Sequence, residues 1–404
     1  MRSAFTEWPG SNTHYSRKIG RMNAQDKRVR LSVDEMRVIC SLRGKDINSY
    51  KKADGTKNYR VKLTDQESAA IGRVRSKVPQ KNGCTPPEID LVELERLRGK
   101  ENEMNQILES LKISGGVEIH EIKPPSSDPG RQTIPIVQFS DWHIDENVRK
   151  DSVLGLNEYN PEIAKERADS TVFQMCKIIS HHQAKYNINS VLIALLGDFI
   201  GGWIHEELIQ TNSEAPLAAI RTARNLLLSG LKFIHENLKV EKIYVVCVGG
   251  NHSRTSQRIQ FANFTDVSLE YGMYLDLQEI CGQMGLNKFE FIIPKAQLAI
   301  VELMNKRILF AHGYEFKYQG GIGGIYPPML RWFFKISKSL KIEKVFMGHW
   351  HQPIFTEQCV VNNSLKGYDA YAMDKGMDFQ PPSQNLILLD SRYGFCMYQQ
   401  VFPF

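Results

Sequence analysis

An apolar run that stops abruptly in Gly-Asp, the stretch SVLIALLGDFIGG at 190–202, does most to limit what this chain can fold into. Val191 to Leu196 reads as a buried strand. Gly197 lets the backbone turn sharply, so the carboxylate of Asp198 is presented at the strand's C-terminal edge, where open α/β sheets place their chemistry. Alone, a strand that ends this way is as compatible with a plain turn as with a site. Four other expected strands in the chain also end in polar donors, and that recurrence changes the reading.

Thr133 to Phe139 leads into Ser140-Asp141-Trp142-His143, and Lys242 to Val248 into Gly249-Gly250-Asn251-His252. Arg307 to Ala311 delivers His312-Gly313, and Lys344 to Met347 ends in Gly348-His349-Trp350-His351. Between them the periodicity predicts helices from Pro161 to about Lys185, Pro216 to Leu238, Leu269 to Met284 and Met329 to Leu340. Further strands are expected at Phe289–Ile293 and Gln297–Leu303, with closing strands near Gly367–Ala372, Asn385–Leu389 and Phe395–Val401. The pattern is β–α–β. Eight of the side chains at the strand tips are oxygen or imidazole donors of the kind that first-row cations prefer, and no thiolate is among them. One ion rarely needs so many donors, whereas two ions about 3.5–4 Å apart that share a carboxylate use them all.

The set DWH, GD, GNH, HG and GHWH, in this order on successive strand ends, resembles the calcineurin-like metallophosphoesterase superfamily, with repair-exonuclease and phage-encoded members the nearest in character. The motifs run from Phe139 to Pro353 and leave the first 130 residues uncovered. The resemblance implies a four-layer α/β/β/α sandwich, two mixed sheets flanked by helices. It also implies that Asp141, His143 and His351 hold one divalent metal, that Asn251, His312 and His349 hold a second, and that Asp198 bridges them. His252 is then the proton donor at the leaving-group oxygen. Manganese is the metal of the nuclease members, with iron and zinc as alternatives. Many members carry an acid directly after GNH; here that position is Ser253, which leaves open what orients His252. Arg254, next in sequence, is a candidate contact to a substrate phosphate by bidentate hydrogen bonding. His205, Glu206 and Glu207 read as helix-surface residues, Asp145 and Glu146 as loop acids, and Lys317 and Tyr318 as candidate substrate contacts.

Composition says less. A hydrophobic fraction of 42% and a charged fraction of 24% are those of an ordinary globular protein. No apolar run is long enough to span a bilayer, and the N-terminus lacks the apolar segment of a secretory signal, so a cytoplasmic location, in a host cell if the chain is phage-encoded, is expected. Seven cysteines without a CxxC pair argue against a disulfide framework. Charge is uneven: residues 1–100 carry a net +10, whereas the rest carries −4. The expected organisation is a disordered basic arm (1–30), a small basic, mainly helical region (31–122) suited to nucleic acid, a Pro/Ser linker (123–132) and the metallophosphoesterase domain (133–404). Within the basic region, Val33–Leu42 and Leu63–Val78 are expected short helices. A charged amphipathic helix over 88–111 is a candidate spacer or homodimer contact. The expected activity is hydrolysis of a DNA phosphodiester by a manganese-dependent nuclease or exonuclease, at ends or single strands, without a membrane partner. The alternatives are a phosphatase or cyclic-nucleotide phosphodiesterase, and a DNA-binding or scaffold protein with a vestigial metal site.

Overall fold

The computed structural model describes residues 28–31, 39–40, 59–62, 118–125, 131–318 and 324–403. The chain divides into two compact units, Met1–Asn105 and Gln106–Phe404. In the first, β1 (Arg28–Leu31) pairs antiparallel with β2 (Tyr59–Lys62), Arg28 opposite Lys62. The sequence reading placed no strand there: RVRL fell across the expected arm and YRVK in the helical region. Four-residue stretches are too short for period-two alternation to announce a strand. Ile39 and Cys40 are helical and buried. The rest of the expected helix at 33–42, those at 63–78 and 88–111, and with the last the dimer contact, lie outside the described residues.

The second unit begins with β3 (Ile119–Ile122) and β4 (Thr133–Phe139), then α1 (Pro161–Gln183), β5 (Ser190–Leu195), α2 (Glu206–Thr211), α3 (Pro216–Asn237) and β6 (Lys242–Cys247). It continues through α4 (Phe264–Val267), α5 (Leu269–Gln283), β7 (Phe289–Ile292), β8 (Ala299–Leu303), β9 (Lys306–Phe310), α6 (Tyr326–Leu340) and β10 (Lys344–Met347). β11 (Ile354–Phe355), β12 (Cys359–Val361), α7 (Ala370–Asp374), β13 (Gln384–Asp390) and β14 (Gly394–Val401) complete it. One six-stranded sheet has the order β14-β13-β4-β5-β6-β7 and the other β11-β12-β10-β9-β8-β3. In the first, β4 to β7 are parallel; in the second, β9, β10 and β12 are parallel. Parallel neighbours bring all their C-terminal ends to one edge.

Alternation along the strands makes four layers. Ile134 and Ile136 of β4, Leu192 and Ala194 of β5, and Tyr244 and Val246 of β6 face the other sheet, where they meet Val301, Ile308, Phe310, Phe346 and Val360. The intervening Val137, Phe139, Ile193, Leu195, Val245 and Cys247 face a helical layer. That layer is closed by Ala164, Ala168, Val172, Met175 and Ile179 of α1 and by Ala223, Leu227, Leu231 and Ile234 of α3, residues three to four apart that form one stripe. Met329, Trp332, Phe333 and Ile336 give α6 a comparable buried stripe, and α6 packs on β12 of the second sheet. The architecture is the α/β/β/α sandwich, two mixed sheets flanked by helices.

Two local expectations change. Residues 367–372 form no strand: the side chain of Asp369 accepts from Ala372 N and caps the short α7 instead. Asp and Asn in such positions compete with strand pairing through their own backbone hydrogen bonds. Ile119–Ile122 lies in the expected helical region, yet β3 pairs in parallel with β8 as the edge of the second sheet. Its IHEI sequence does not alternate, and only Ile122 is fully buried.

Candidate metal centre

Three of the strand tips, those of β4, β5 and β10, open into residues with left-handed backbone. Asp141, His143, Asp198, His349 and His351 have φ of 57°, 47°, 53°, 69° and 51°. These are five of the nine non-glycine residues with positive φ among those described. Such a conformation is uncommon for side chains with a Cβ and is tolerated best by Asp, Asn and His. It persists only where the surroundings enforce it, and it gathers at functional sites. Here the enforcement is visible. Asp141 accepts from His349 N at 2.9 and 3.0 Å and from the Ser140 hydroxyl at 2.5 Å. Asp198 accepts from His252 N at 2.8 Å.

Two glycines let the tips approach. A Cβ on Gly250 would overlap the Asp198 carboxylate, and one on Gly348 would overlap that of Asp141. No other residue fits either place.

The donors of the motifs fall into two groups, and a third cluster, His143, Glu146 and His252, shares His143 with the first. Asp141, His143 and His351 offer ligand atoms that all lie within 4.8 Å of one another, and so do Asp198, His312 and His349. In the first, His351 Nε2 is 3.3 Å from Asp141 Oδ1 and 3.1 Å from His143 Nε2. In the second, His312 Nε2 lies 2.8 Å from Asp198 Oδ2 while its Nδ1 meets Leu196 O at 2.6 Å. Because a carbonyl only accepts, Nδ1 carries the proton and Nε2 is left to face the site, the second contact fixing the tautomer as at metal-ligating histidines. Asn251 adds an Oδ1 that is buried with no hydrogen-bond partner.

A buried acceptor left unpaired, as Asn251 Oδ1 is, is expensive, whereas the His143 and His351 Nε2 atoms at 3.1 Å can share one proton as donor and acceptor. The residues fit a divalent pair: hard oxygens and neutral imidazoles, converging, buried and partly unsatisfied.

The electrostatics point the same way. Burial works against charge on Asp198, but the imidazoles of His312 and His252 hold its carboxyl well below the usual range. Burial pushes His143 down to about 4 and His349 down to about 3, so both are neutral donors at physiological pH. His312 is the exception: burial opposes charging, but the Asp198 carboxylate overrides it and raises the group to about 10, so a cation would have to displace the Nε2 proton to be held there.

His252 stands beside the ligands. Its ring lies 4.8 Å from that of His143, centroid to centroid, and its Nε2 is 3.9 Å from Asp198 Oδ2. Its Nδ1 donates to Gly201 O at 2.7 Å, which turns Nε2 towards the mouth. That contact settles what orients His252 when the next residue is Ser253: a backbone carbonyl of the GDFIGG loop. Ser253 itself is buried, 3.4 Å from the Ser268 hydroxyl. Arg254 sits half-buried at the rim, donates to Asn251 O, and keeps a buried Nε without a partner.

Four supporting residues are not apparent from the sequence. Glu146, read as a loop acid, is buried with Oε1 2.8 Å from His143 Nδ1, off the line of the ring N–H, and Oε2 2.6 Å from Lys366 Nζ. Lys366 is buried in turn and holds Asp369 at 2.6 Å as well. Glu270 of α5 is fully buried and accepts from Phe199 N at 2.8 Å and Gly250 N at 2.7 Å, tying the Asp198 and Asn251 turns together. Burial, and then repulsion from Asp198, raise it to about 7. Asp145 likewise ties down the Gly201–Gly202 turn through both backbone N–H groups. His205, expected on a helix surface, precedes α2 as its exposed N-cap residue, with its ring 6.3 Å from that of His252.

No family model matches the sequence, and neither does any curated protein. Solved structures to which the chain is similar include a hypothetical protein of Pyrococcus horikoshii OT3, at 10% identity and a TM-score of 0.32, covering 67% of this chain and 88% of that one. They also include a single-mutant Vps29 of Entamoeba histolytica, at 11% identity and a TM-score of 0.27, covering 66% and 98%. Likeness of this degree carries no functional weight, and the geometry of the site has to stand by itself. Among the described residues no helix is long and apolar enough to cross a membrane.

Proposed function

We propose that the chain is a two-metal phosphodiester hydrolase of the calcineurin-like type, a manganese-dependent nuclease whose substrate is DNA. The observation that supports it most is the convergence of Asp141, His143 and His351 with Asp198, His312 and His349 at one sheet edge, beside an imidazole that belongs to neither group. In this reading the first trio would hold one cation and Asn251, His312 and His349 the other, with Asp198 available to both. When bound, such a pair supplies an activated water and neutralises charge on the phosphoryl oxygens.

The protein's own part is placement and proton traffic. His252, fixed through Nδ1, presents a protonated Nε2 to the leaving oxygen as the P–O bond breaks, and the alkoxide takes that proton. Arg254, whose Nη1 is held by Asn251 O and whose Nε is buried, meets a non-bridging phosphate oxygen through Nη2. The basic character of residues 1–100 supports a polyanionic substrate.

Turnover of a phosphodiester such as bis(p-nitrophenyl) phosphate, set against the matching monoester, tests the class. Manganese-supplemented wild type is expected to prefer the diester, and Asp198→Asn to bind less metal and lose activity by at least about two orders of magnitude. Preference for the monoester turns the reading to a phosphatase. Purified protein without bound cation, and Asp198→Asn with unchanged activity, turn it to a binding protein.

A further inference from the structure

The mouth above the donors is ringed by the loops that leave β4, β5, β6, β9, β10 and β12. Among the described residues ten Phe, Tyr or Trp side chains are substantially exposed, and six of them stand on these loops or at the first turn beyond them. They are Trp203 after β5, Phe261 after β6, Tyr318 and Tyr326 after β9, and Tyr371 and Phe379 after β12. Exposed aromatics scattered over a surface need no explanation. Their concentration at one edge, next to the site, does.

The segment after β6 is the most informative. Residues 257–263, QRIQFAN, are seven exposed residues in a row, with one Arg and no acid. Ile259 is 38% and Phe261 63% exposed. The segment is held out rather than frayed: Thr255 N donates to Val267 O at 2.8 Å, Gln297 Nε2 donates to Gln260 O at 3.1 Å, and Phe264 is buried at its base. Ile259 lines the same shallow cleft as Asn251, Arg254 and Tyr314, so apolar surface and positive charge sit together against a donor of the site. On the far side of His252, Gly202 packs so closely that a Cβ would overlap His252 O, and Trp203 follows it. The nearest exposed acid in sequence, Asp266, lies on α4 just beyond the segment, and Glu206 and Glu207 lie on α2.

Flat aromatic faces beside guanidinium groups are what an unpaired strand requires, since its bases offer π-faces and its backbone offers phosphates. A duplex keeps its base faces stacked and cannot use them. We infer that segment 254–263, together with Trp203, is a binding surface for an unpaired polynucleotide strand. Arg254 and Arg258 take phosphates and Phe261 and Trp203 stack on bases, delivering one internucleotide phosphate to the donors. The inference rests on the phosphodiesterase reading above for its purpose, but binding tests it separately.

The experiment is fluorescence anisotropy of the full-length protein with a labelled oligothymidylate of about 20 nucleotides, the minimum length being set by groove site sizes. A blunt duplex of equal length serves as comparison, and both titrations are run in EDTA at fixed salt. Phe261→Ala is expected to weaken single-strand binding about tenfold and to change duplex binding less than about twofold. Phe334→Ala, which removes an exposed aromatic of α6 away from the mouth, should leave both unchanged. Equal single-strand affinity for wild type and Phe261→Ala overturns the inference, as does an equal loss on both substrates. A wild type that binds in this pattern yet hydrolyses no diester with manganese sinks the proposed activity and leaves the surface standing.

Discussion

Lys366 offers the sharpest quantitative test of how the centre is built. Its ammonium is 4% exposed and touches Glu146 and Asp369 at 2.6 Å each, while the other oxygen of Glu146 lies 2.8 Å from His143 Nδ1. Burial opposes charge on this lysine, but the two carboxylates override it and keep it protonated. Lys366→Met keeps most of the side-chain volume and strands two buried carboxylates against each other. Removing one partner of a buried ion pair costs about 3–5 kcal/mol. A domain holds about 5–15 kcal/mol in all, so the variant folds but is much weakened. Urea unfolding should show the midpoint falling with the slope unchanged. Adding Glu146→Gln removes one stranded charge and should return part of the loss, a coupling of at least about 1 kcal/mol between adjacent sites. Because Glu146 is what His143 leans on, Lys366→Met should also weaken metal uptake by about 10–100-fold, measured by competition with a chelating dye. A stability loss under about 1 kcal/mol with metal uptake intact would refute the chain of contacts from Asp369 to His143.

Two further outcomes follow from the packing. Gly250→Ala forces a methyl into the Asp198 carboxylate and backbone, so it should destabilise by about 1–3 kcal/mol and abolish uptake of one metal equivalent, read by elemental analysis of purified protein. Lys344, 3% exposed between the sheets with its Nζ on the Tyr398 hydroxyl, is lowered to about 8 by burial. Its folded value lies below the unfolded one near 10.5, so the unfolded chain holds more protons between pH 8 and 10.5 and this group adds stability as pH rises through that window. Lys344→Met lacks that gain: its advantage over wild type in denaturant titrations should be largest below pH 8 and shrink by pH 10.5, and a pH-independent difference would count against the buried charge.

The strand tips were legible because each is a change of chemistry at a sharp boundary. Apolar runs such as Val191–Leu196 give way to Gly, Asp, Asn or His within two residues, and parallel topology does the rest by bringing every tip to one edge. What supports the tips was not legible. Glu270 looks in sequence like any acid in the first turn of a helix, and only the approach of α5 to the Phe199 and Gly250 amides buries it. Lys366 lies 220 residues from the Glu146 it pairs with, and no spacing rule connects them. His205 was read as a surface residue because it follows Asp198 by seven positions. The turn at Gly201 and Gly202, pinned by Asp145, folds that interval back beside His252. β3 was missed because an edge strand with one buried face and four residues carries almost no pattern.

The left-handed backbone at Asp141, His143, Asp198, His349 and His351 has a bearing on what this protein can become. A coordination sphere can in principle be retuned by exchanging one donor for another, but here the main chain vets the replacement before the metal does. Asn, Asp, His and Gly are admitted; Glu, Cys and above all Thr meet a conformational toll at each position. Variation in this centre is therefore channelled towards short side chains, and a descendant seeking a different ion would reach it more readily by altering the residues behind the donors than the donors themselves.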